Sequence, residues 1–114
     1  NQWITEETTL LDVFKHNTRK YEKHIIPIVE YSYNAINYFK DNNIKANFLF
    51  LDGDHSYEAT LRDWNLYSSL LYPDSWVAFH DWSFFFVKGV IVDHVLEKTY
   101  NHQNSSNMWW GQIK

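Results

Sequence analysis

The sequence has 114 residues, which corresponds to one domain. Ten Lys and Arg against fourteen Asp and Glu give a net charge of −4, which argues against nucleic acid as the main partner because no basic stripe is available for phosphates. The absence of Cys excludes disulfide frameworks, thiolate zinc sites and cysteine nucleophiles.

Hydropathy excludes further classes of protein. Apolar residues make up 45% of the sequence and aromatic residues 19%, which is too apolar for a disordered chain. The longest apolar runs are too short to span a membrane, and no basic-then-apolar leader is visible. We therefore expect a folded cytoplasmic protein that has neither a membrane nor a nucleic acid as its partner.

The first half of the sequence alternates between helix and strand. The predicted elements are a helix from Thr8 or Thr9 to about Tyr21, a strand over residues 24–30, a helix from Ser32 through Phe39, and a strand over residues 46–51. The second strand is apolar on both faces, as parallel sheets require. Pro27 lacks an N–H, so its strand is expected at an edge or with an irregular start.

The second half continues the alternation. It predicts a helix capped by Ser56 and stopped before Pro73, a strand over residues 76–79, a helix from about Val87 to Tyr100, a polar connector over residues 101–107, and a closing strand over residues 108–113. The aromatic run at residues 82–86 is expected to plug the core or to lie in an interface. This order of elements predicts an open, mostly parallel α/β sheet.

Acidic and imidazole side chains follow two of the predicted strands. Asp52, Asp54 and His55 come directly after one strand, and His80 and Asp81 end the next. Ligands of such sheets bind beyond the carboxyl ends of the strands, so these side chains are expected to converge. Carboxylates with an imidazole suit Mg²⁺ or Mn²⁺, and an imidazole can also act as a general base.

Plainer interpretations remain open for the same residues. Asp54 precedes a helix and can simply interact with the helix dipole. His80 can be a satisfied polar group of the core.

Three stretches of the sequence resemble a known family. Residues 48–59 read Phe-Leu-Phe-Leu-Asp-Gly-Asp-His-Ser-Tyr-Glu-Ala, residues 61–63 read Leu-Arg-Asp, and residues 76–81 read Trp-Val-Ala-Phe-His-Asp. Together they resemble the C-terminal half of class I S-adenosylmethionine-dependent methyltransferases, within the small-molecule O-methyltransferase-like group. Upstream, residues 25–32 (Ile-Ile-Pro-Ile-Val-Glu-Tyr-Ser) with residues 34–36 (Asn-Ala-Ile) resemble that group's third strand and the helix after it, so the resemblance covers about residues 8–96. The resemblance implies one partial domain over residues 1–114, with a Rossmann-like, mostly parallel sheet, flanking helices and no counterpart of the family's first two strands.

The resemblance also implies a catalytic and metal-binding corner. Asp52 matches an acid that binds a cation beside the methyl acceptor in metal-using relatives, and His55 matches a histidine that removes the proton of the acceptor's hydroxyl. His80 and Asp81 match the paired metal ligands that end the fifth strand. The implied cation is Mg²⁺ or Mn²⁺, and the implied substrate is a small hydroxylated molecule.

The implied cofactor is S-adenosylmethionine. Tyr31 and Ser32 match the loop that lies against the adenine ring in relatives, and Asp52 and Gly53 complete the predicted cofactor contacts. The family's glycine-rich cofactor loop has no counterpart, because the three glycines are far apart and no Gly-x-Gly occurs. A competing hypothesis is therefore a non-catalytic remnant of the fold that serves as a binding or assembly module.

The missing strands have a structural consequence. In the full fold they lie between the third strand, which residues 25–29 match, and the fourth strand, which ends at residue 51. Residues 48–51 are therefore expected to form an exposed edge, which recruits partners. We expect the chain to re-pair internally, to form a homodimer, or to be a fragment of a longer polypeptide. The turn before the fifth strand reads Pro73-Asp74-Ser75, and Asp tolerates the left-handed backbone that Gly usually supplies there.

Two hydrolase classes fit less well. Metallophosphatases need an Asp-x-His after their first strand and a later Asn-His, and neither is present. HD-type hydrolases carry their His-Asp pair on a helix, whereas residues 80–81 are predicted to end a strand.

Overall fold

A computed structural model describes residues 3–114, and the chain divides into two compact units, Asn1–Tyr31 and Ser32–Lys114. The first unit contains helix α1 (Leu10–Asn17) and a 3-10 helix (Arg19–His24). Thr9 caps α1: its hydroxyl accepts a hydrogen bond from the Asp12 N–H, and the Asp12 carboxylate accepts one from the Thr9 N–H. The hydrogen bond to the Thr9 N–H is the main reason that the pKa of Asp12 is lowered. Helix α1 ends before Tyr21, the predicted end.

The predicted strand over residues 24–30 is wrong. Residue 24 closes the 3-10 helix, and residues 25–29 have no regular secondary structure. Pro27 cannot donate to a sheet ladder, and no strand precedes β1 (Ala46–Leu51) within residues 3–114 to pair with this segment. An apolar run without a ladder partner does not become a strand.

The second unit contains the sheet and its helices. In chain order it comprises α2 (Ser32–Asp41), β1, α3 (Tyr57–Ser68), β2 (Leu71–His80), α4 (Phe85–Val90), a π-helical turn (Ile91–Val95), a 3-10 turn (Leu96–Lys98), β3 (Thr99–Asn104) and β4 (Met108–Ile113). The predicted bounds of β1 and β4 and the Ser56 cap of α3 are confirmed.

The sheet has four strands in the order β1-β2-β4-β3. Strands β1 and β2 are parallel, whereas β2–β4 and β3–β4 are antiparallel. The predicted open α/β class with flanking helices is therefore confirmed, but the described sheet is mixed rather than mostly parallel. The reason lies in the last two strands, which are joined by a short loop and so form an antiparallel hairpin.

The last predicted helix ends earlier than expected. Its continuation passes through the π-helical and 3-10 turns and stops at Thr99, whose hydroxyl donates to the Val95 carbonyl over 2.9 Å. Residues 99–104 then form β3, so most of the predicted polar connector is a strand. Asn101 has a φ of 54°, and the β3–β4 register shifts between Tyr100 and Gln103.

The turn predicted at Pro73-Asp74-Ser75 is present as an irregularity inside β2. Asp74 has a φ of 68°, in the left-handed region, as predicted. Opposite it, the pairing of β1 with β2 shifts between Ala46–Leu71 and Phe48–Trp76. From Trp76 onward the two strands run in continuous register to their carboxyl ends.

Helices α3 and α4 cover one face of the sheet. The core joins Trp64 and residues of α4 and the π-helical turn to inward-facing sheet residues, among which Val77 and Phe79 are almost fully buried. Strand β1 lies at the edge of the described sheet, as predicted, and its alternate residues Phe48 and Phe50 are 59% and 48% exposed. Whether a second copy covers this edge stays a prediction.

The aromatic run at residues 82–86 plugs the core only in part. Trp82 packs against the core, whereas Phe84, Phe85 and Phe86 are exposed. Within the part of the chain that the structure describes, no helix is both long and apolar enough to cross a bilayer.

Candidate active site at the carboxyl ends of strands β1 and β2

The parallel pairing of β1 with β2 brings the two predicted strand ends together. Leu51 pairs with Phe79, so the residues that follow them, Asp52 and His80, lie side by side at the carboxyl ends of the two strands. Nδ1 of His80 lies 3.2 Å from Oδ1 of Asp52. The predicted convergence of these two loops is therefore present in the structure.

Asp81 completes a cluster of three potential ligands. Its Oδ2 lies 3.0 Å from Nδ1 of His80, and one ligand atom from each of Asp52, His80 and Asp81 lies within 4.8 Å of the others. Nδ1 of His80 is inaccessible to solvent yet has no hydrogen-bond geometry to either carboxylate. The three atoms therefore lie close together, and Nδ1 of His80 forms no hydrogen bond to either carboxylate.

The backbone of Asp81 is held in an unusual conformation. Its φ is 54°, in the left-handed region that few residues other than Gly, Asn and Asp adopt readily. The Asp81 N–H donates to the Asn107 carbonyl over 2.7 Å, and its own carbonyl accepts from the Phe84 N–H over 3.0 Å. These bonds turn the chain sharply at the end of β2 and fix the position of the Asp81 carboxylate.

His55 approaches the same cluster from the loop after β1. Its Nε2 lies 3.2 Å from Oδ2 of Asp81, again without hydrogen-bond geometry. The imidazole stacks on the ring of Phe84, with 4.7 Å between centroids and 23° between planes. His55 is therefore a partly exposed imidazole that is held beside a carboxylate and backed by an aromatic ring.

Asp54 plays a different part from its neighbours. Its Oδ1 accepts a hydrogen bond from the Ser56 N–H at the start of α3, and this bond is the main reason that the pKa of Asp54 is lowered. Asp54 does not belong to the three-residue cluster. The plainer interpretation, an acid that interacts with the start of a helix, describes it well.

The inner face of α3 supports the loop that carries these residues. The Thr60 hydroxyl donates to the Asp54 carbonyl over 3.2 Å, and both Thr60 and Asp63 are buried. Together with the loop they line a cavity of about 10 Å³ that also includes His80. A cavity of this size holds about one water molecule.

Asp63 links two of the predicted cofactor-binding positions. The Ser32 hydroxyl donates to Oδ1 of Asp63 over 2.5 Å, and a Cβ added to Gly53 would lie 3.2 Å from Oδ2. The Tyr67 hydroxyl donates to the Ser32 carbonyl over 2.7 Å. Burial, and secondarily the charge of Asp63, raise the pKa of Tyr67.

The remaining predicted cofactor contact is Tyr31, which belongs to the first unit and is 69% exposed. Its contact with a cofactor stays a prediction. Within the second unit, the structure brings together all the other predicted site residues, namely Ser32 and Gly53 at Asp63, and Asp52, His55, His80 and Asp81 at the cluster.

Sequence reasoning missed three supporting residues. Asp63 is quoted in the family resemblance but has no role assigned to it there, and Thr60 is hidden by the large apolar residues of the α3 stripe; the three-residue spacing of this pair places both on one helix face. Phe84 gives no signal of its own within the aromatic run.

A family model described as a methyltransferase domain matches residues 3–82, which is most of the chain and includes the strand ends that carry the cluster. No curated protein sequence matches the chain.

Proposed function

The chain belongs to the class I S-adenosylmethionine-dependent methyltransferase-like domains, and we propose that it transfers a methyl group from S-adenosylmethionine to a hydroxyl oxygen of a small molecule. The observation that carries this proposal is the meeting of His55 with the Asp52, His80 and Asp81 cluster at the carboxyl ends of parallel strands. Open α/β sheets bind their ligands at this edge.

The cluster suits a hard divalent cation. Two carboxylate oxygens and one imidazole nitrogen are donors that Mg²⁺ and Mn²⁺ accept. Nδ1 of His80 is shielded from solvent, lies close to two carboxylates and is hydrogen-bonded to neither. These properties are expected of an atom that binds a metal ion. Asp52, His80 and Asp81 would hold the cation, which when bound makes an acceptor hydroxyl more acidic.

His55 is the proposed base. Its imidazole is partly exposed beside the cluster, with 37% of the side chain accessible, and imidazole is the side chain that most often acts as a general acid or base in enzymes. The acceptor's O–H bond breaks and its proton passes to His55. S-adenosylmethionine, when bound, would supply the methyl group to the acceptor oxygen, with the carbon–sulfur bond breaking as the carbon–oxygen bond forms and a neutral thioether as the leaving group.

The stacking of His55 on Phe84 helps to orient the His55 imidazole. An imidazole held on one side by a ring and on the other by the Asp81 carboxylate has few orientations left. Because the methyl donor is already activated, alignment of oxygen, carbon and sulfur is the main contribution of the protein.

The proposed cofactor side of the site lies at Ser32 and Gly53. Both positions adjoin the Asp63 carboxylate, and Gly53 follows Asp52 directly, so the predicted cofactor contacts continue into the cation cluster. We propose that Ser32, Asp52 and Gly53 contact the adenosyl part of the cofactor.

A second candidate function is a non-catalytic binding or assembly module. The observation that favours it is the small size of the corner cavity, about 10 Å³, which holds about one water molecule. A module of this kind would keep the cation cluster but would not bind the nucleoside.

Calorimetric titration with S-adenosylmethionine, with and without Mn²⁺, tests the two functions against each other. Micromolar affinity, with methyl transfer from labelled cofactor to hydroxylated acceptors, is the expected result. His55→Gln should abolish transfer while preserving cofactor binding, and His24→Gln, an exposed imidazole of the first unit, is the matched control. Undetectable cofactor binding would overturn the enzyme proposal and favour the module.

A further inference from the structure

Asp63 is the one buried acidic residue among residues 3–114, with 8% of its surface exposed. Acidic side chains are rarely buried without partners, because removing a charge from water is costly. Asp63 lies on the face of α3 that carries Thr60 and Trp64, inside the second unit. Its position therefore requires an explanation from its surroundings.

One oxygen of Asp63 holds the start of α2. The Ser32 hydroxyl donates to Oδ1 over 2.5 Å, and Ser32 is the first residue of that helix. The Tyr67 hydroxyl, one helical turn further along α3, donates to the carbonyl of the same serine. Two side chains of α3 thus bind one residue of α2.

The other oxygen of Asp63 faces the loop after β1. A Cβ at Gly53 would lie 3.2 Å from Oδ2, closer than an ordinary van der Waals contact. The backbone of Gly53 does not itself require glycine, since no glycine of the described chain has a positive φ. The contact with Asp63 is therefore what limits the side chain at position 53.

We propose that Asp63 is a positioning residue that sets the loop of residues 52–55 and, through it, the Asp52 carboxylate opposite His80. The Asp63 carboxylate lies beside Gly53, where an added Cβ would be 3.2 Å from Oδ2, and the carbonyl of the next residue, Asp54, accepts a hydrogen bond from the Thr60 hydroxyl. Two buried side chains of α3 are therefore placed to position the loop at consecutive residues. Only the cation readout of this inference rests on the proposed function.

A double-mutant cycle between positions 53 and 63 tests the contact. In the otherwise unchanged protein, Gly53→Ala should accelerate amide hydrogen exchange of residues 52–55 on the order of tenfold, because the new methyl group displaces the loop from Asp63. In an Asp63→Ala background the same substitution should have almost no further effect, since the opposing oxygen is gone. If the Asp63→Ala variant does not fold, Asp63→Ser replaces it as the background of the cycle.

Two further variants separate positioning from general stability. Asp63→Asn keeps the shape of the side chain, so the effect of Gly53→Ala should persist in that background. Glu58→Gln removes an exposed charge from the same helix and should leave the cycle unchanged. Equal effects of Gly53→Ala in the unmodified protein and in the Asp63→Ala background would overturn the inference.

Measuring Mn²⁺ affinity tests whether the position of the loop affects the proposed cation site. Gly53→Ala should weaken Mn²⁺ binding, measured by electron paramagnetic resonance, roughly tenfold. Val95→Ala, a core truncation outside the corner, should lower the melting temperature without this loss of affinity. Full Mn²⁺ affinity in Gly53→Ala would count against the positioning role.

Absence of Mn²⁺ binding by the unmodified protein would instead contradict the cation part of the proposed function, and the hydrogen-exchange cycle would still decide the role of Asp63.

Discussion

His80 and Asp52 meet at the carboxyl ends of β2 and β1, with Nδ1 of the histidine 3.2 Å from Oδ1 of the aspartate. The contact depends on the parallel pairing of β1 with β2, which ends both strands at the same level. Asp81 adds a second carboxylate because its left-handed backbone turns the chain directly after His80. The proposed cation site is thus a consequence of strand register and of one unusual backbone angle.

Removal of either carboxylate should weaken cation binding. We expect Asp52→Asn and Asp81→Asn each to lower the Mn²⁺ affinity by at least about tenfold, because an amide replaces an anionic ligand. Asp54→Asn is the matched control, since Asp54 is hydrogen-bonded to the Ser56 N–H and lies outside the cluster. Titration with Mn²⁺ followed by electron paramagnetic resonance measures all three; equal losses in the three variants would contradict the assignment.

The Ser56 cap should contribute measurably to stability. Ser56→Ala removes the acceptor for the Ala59 N–H, and we expect a loss of about 1 kcal/mol in the free energy of unfolding. Ser105→Ala, in an exposed loop, is the control and should change stability by less than about 0.5 kcal/mol. Urea denaturation followed by circular dichroism measures the difference.

Asp54 should make stability depend on pH in the acidic range. Its pKa is lowered in the folded state, mainly by the Ser56 N–H, so the ionised form favours folding. This contribution is present above the unfolded pKa, about 4, and is lost as the pH falls through the lowered folded pKa. The stability difference between the unmodified protein and Asp54→Asn should therefore shrink from pH 6 toward about pH 2, as measured by urea unfolding across that range. A difference that stays constant with pH would show that the Asp54 charge does not act in this way.

The two faces of the sheet should respond differently to truncation. Phe79→Ala removes a ring that is 1% exposed, and we expect a loss of about 3–5 kcal/mol in the free energy of unfolding. Phe48→Ala removes a ring that is 59% exposed and should change stability by less than about 0.5 kcal/mol. Similar losses at both positions would mean that the outer face of β1 is covered in solution.

The exposed edge of β1 should drive self-association if a second copy covers it. Under the predicted homodimer, Phe50→Lys should shift the mass measured by analytical ultracentrifugation from dimer toward monomer, because a charge would enter the apolar contact. Phe85→Lys changes a more exposed ring away from this strand and should leave the mass unchanged. A monomeric unmodified protein would contradict the dimer.

Local signals predicted the elements that carry the site. The apolar run before Asp52 predicted β1 with its observed bounds, and Ser56 predicted the start of α3, because strand composition and helix capping act over a few residues. The same kind of signal failed for residues 24–30, since an apolar run becomes a strand only when another strand lies beside it. It failed again at Thr99, where pairing with Ile113 replaces the predicted last turn of the helix.

The available chemical groups, and the strand ends that carry them, could be predicted without the structure, because composition, strand runs and caps are local properties of the chain. Three features could be found only in the folded protein: His80 lies beside both Asp52 and Asp81, Asp54 accepts a hydrogen bond at the start of a helix, and the Asp63 carboxylate occupies the space beside Gly53. These outcomes depend on strand register, on one left-handed backbone angle and on the packing of α3 against the loop. Each of them joins residues that are distant in sequence, or selects one of several conformations that a short segment allows.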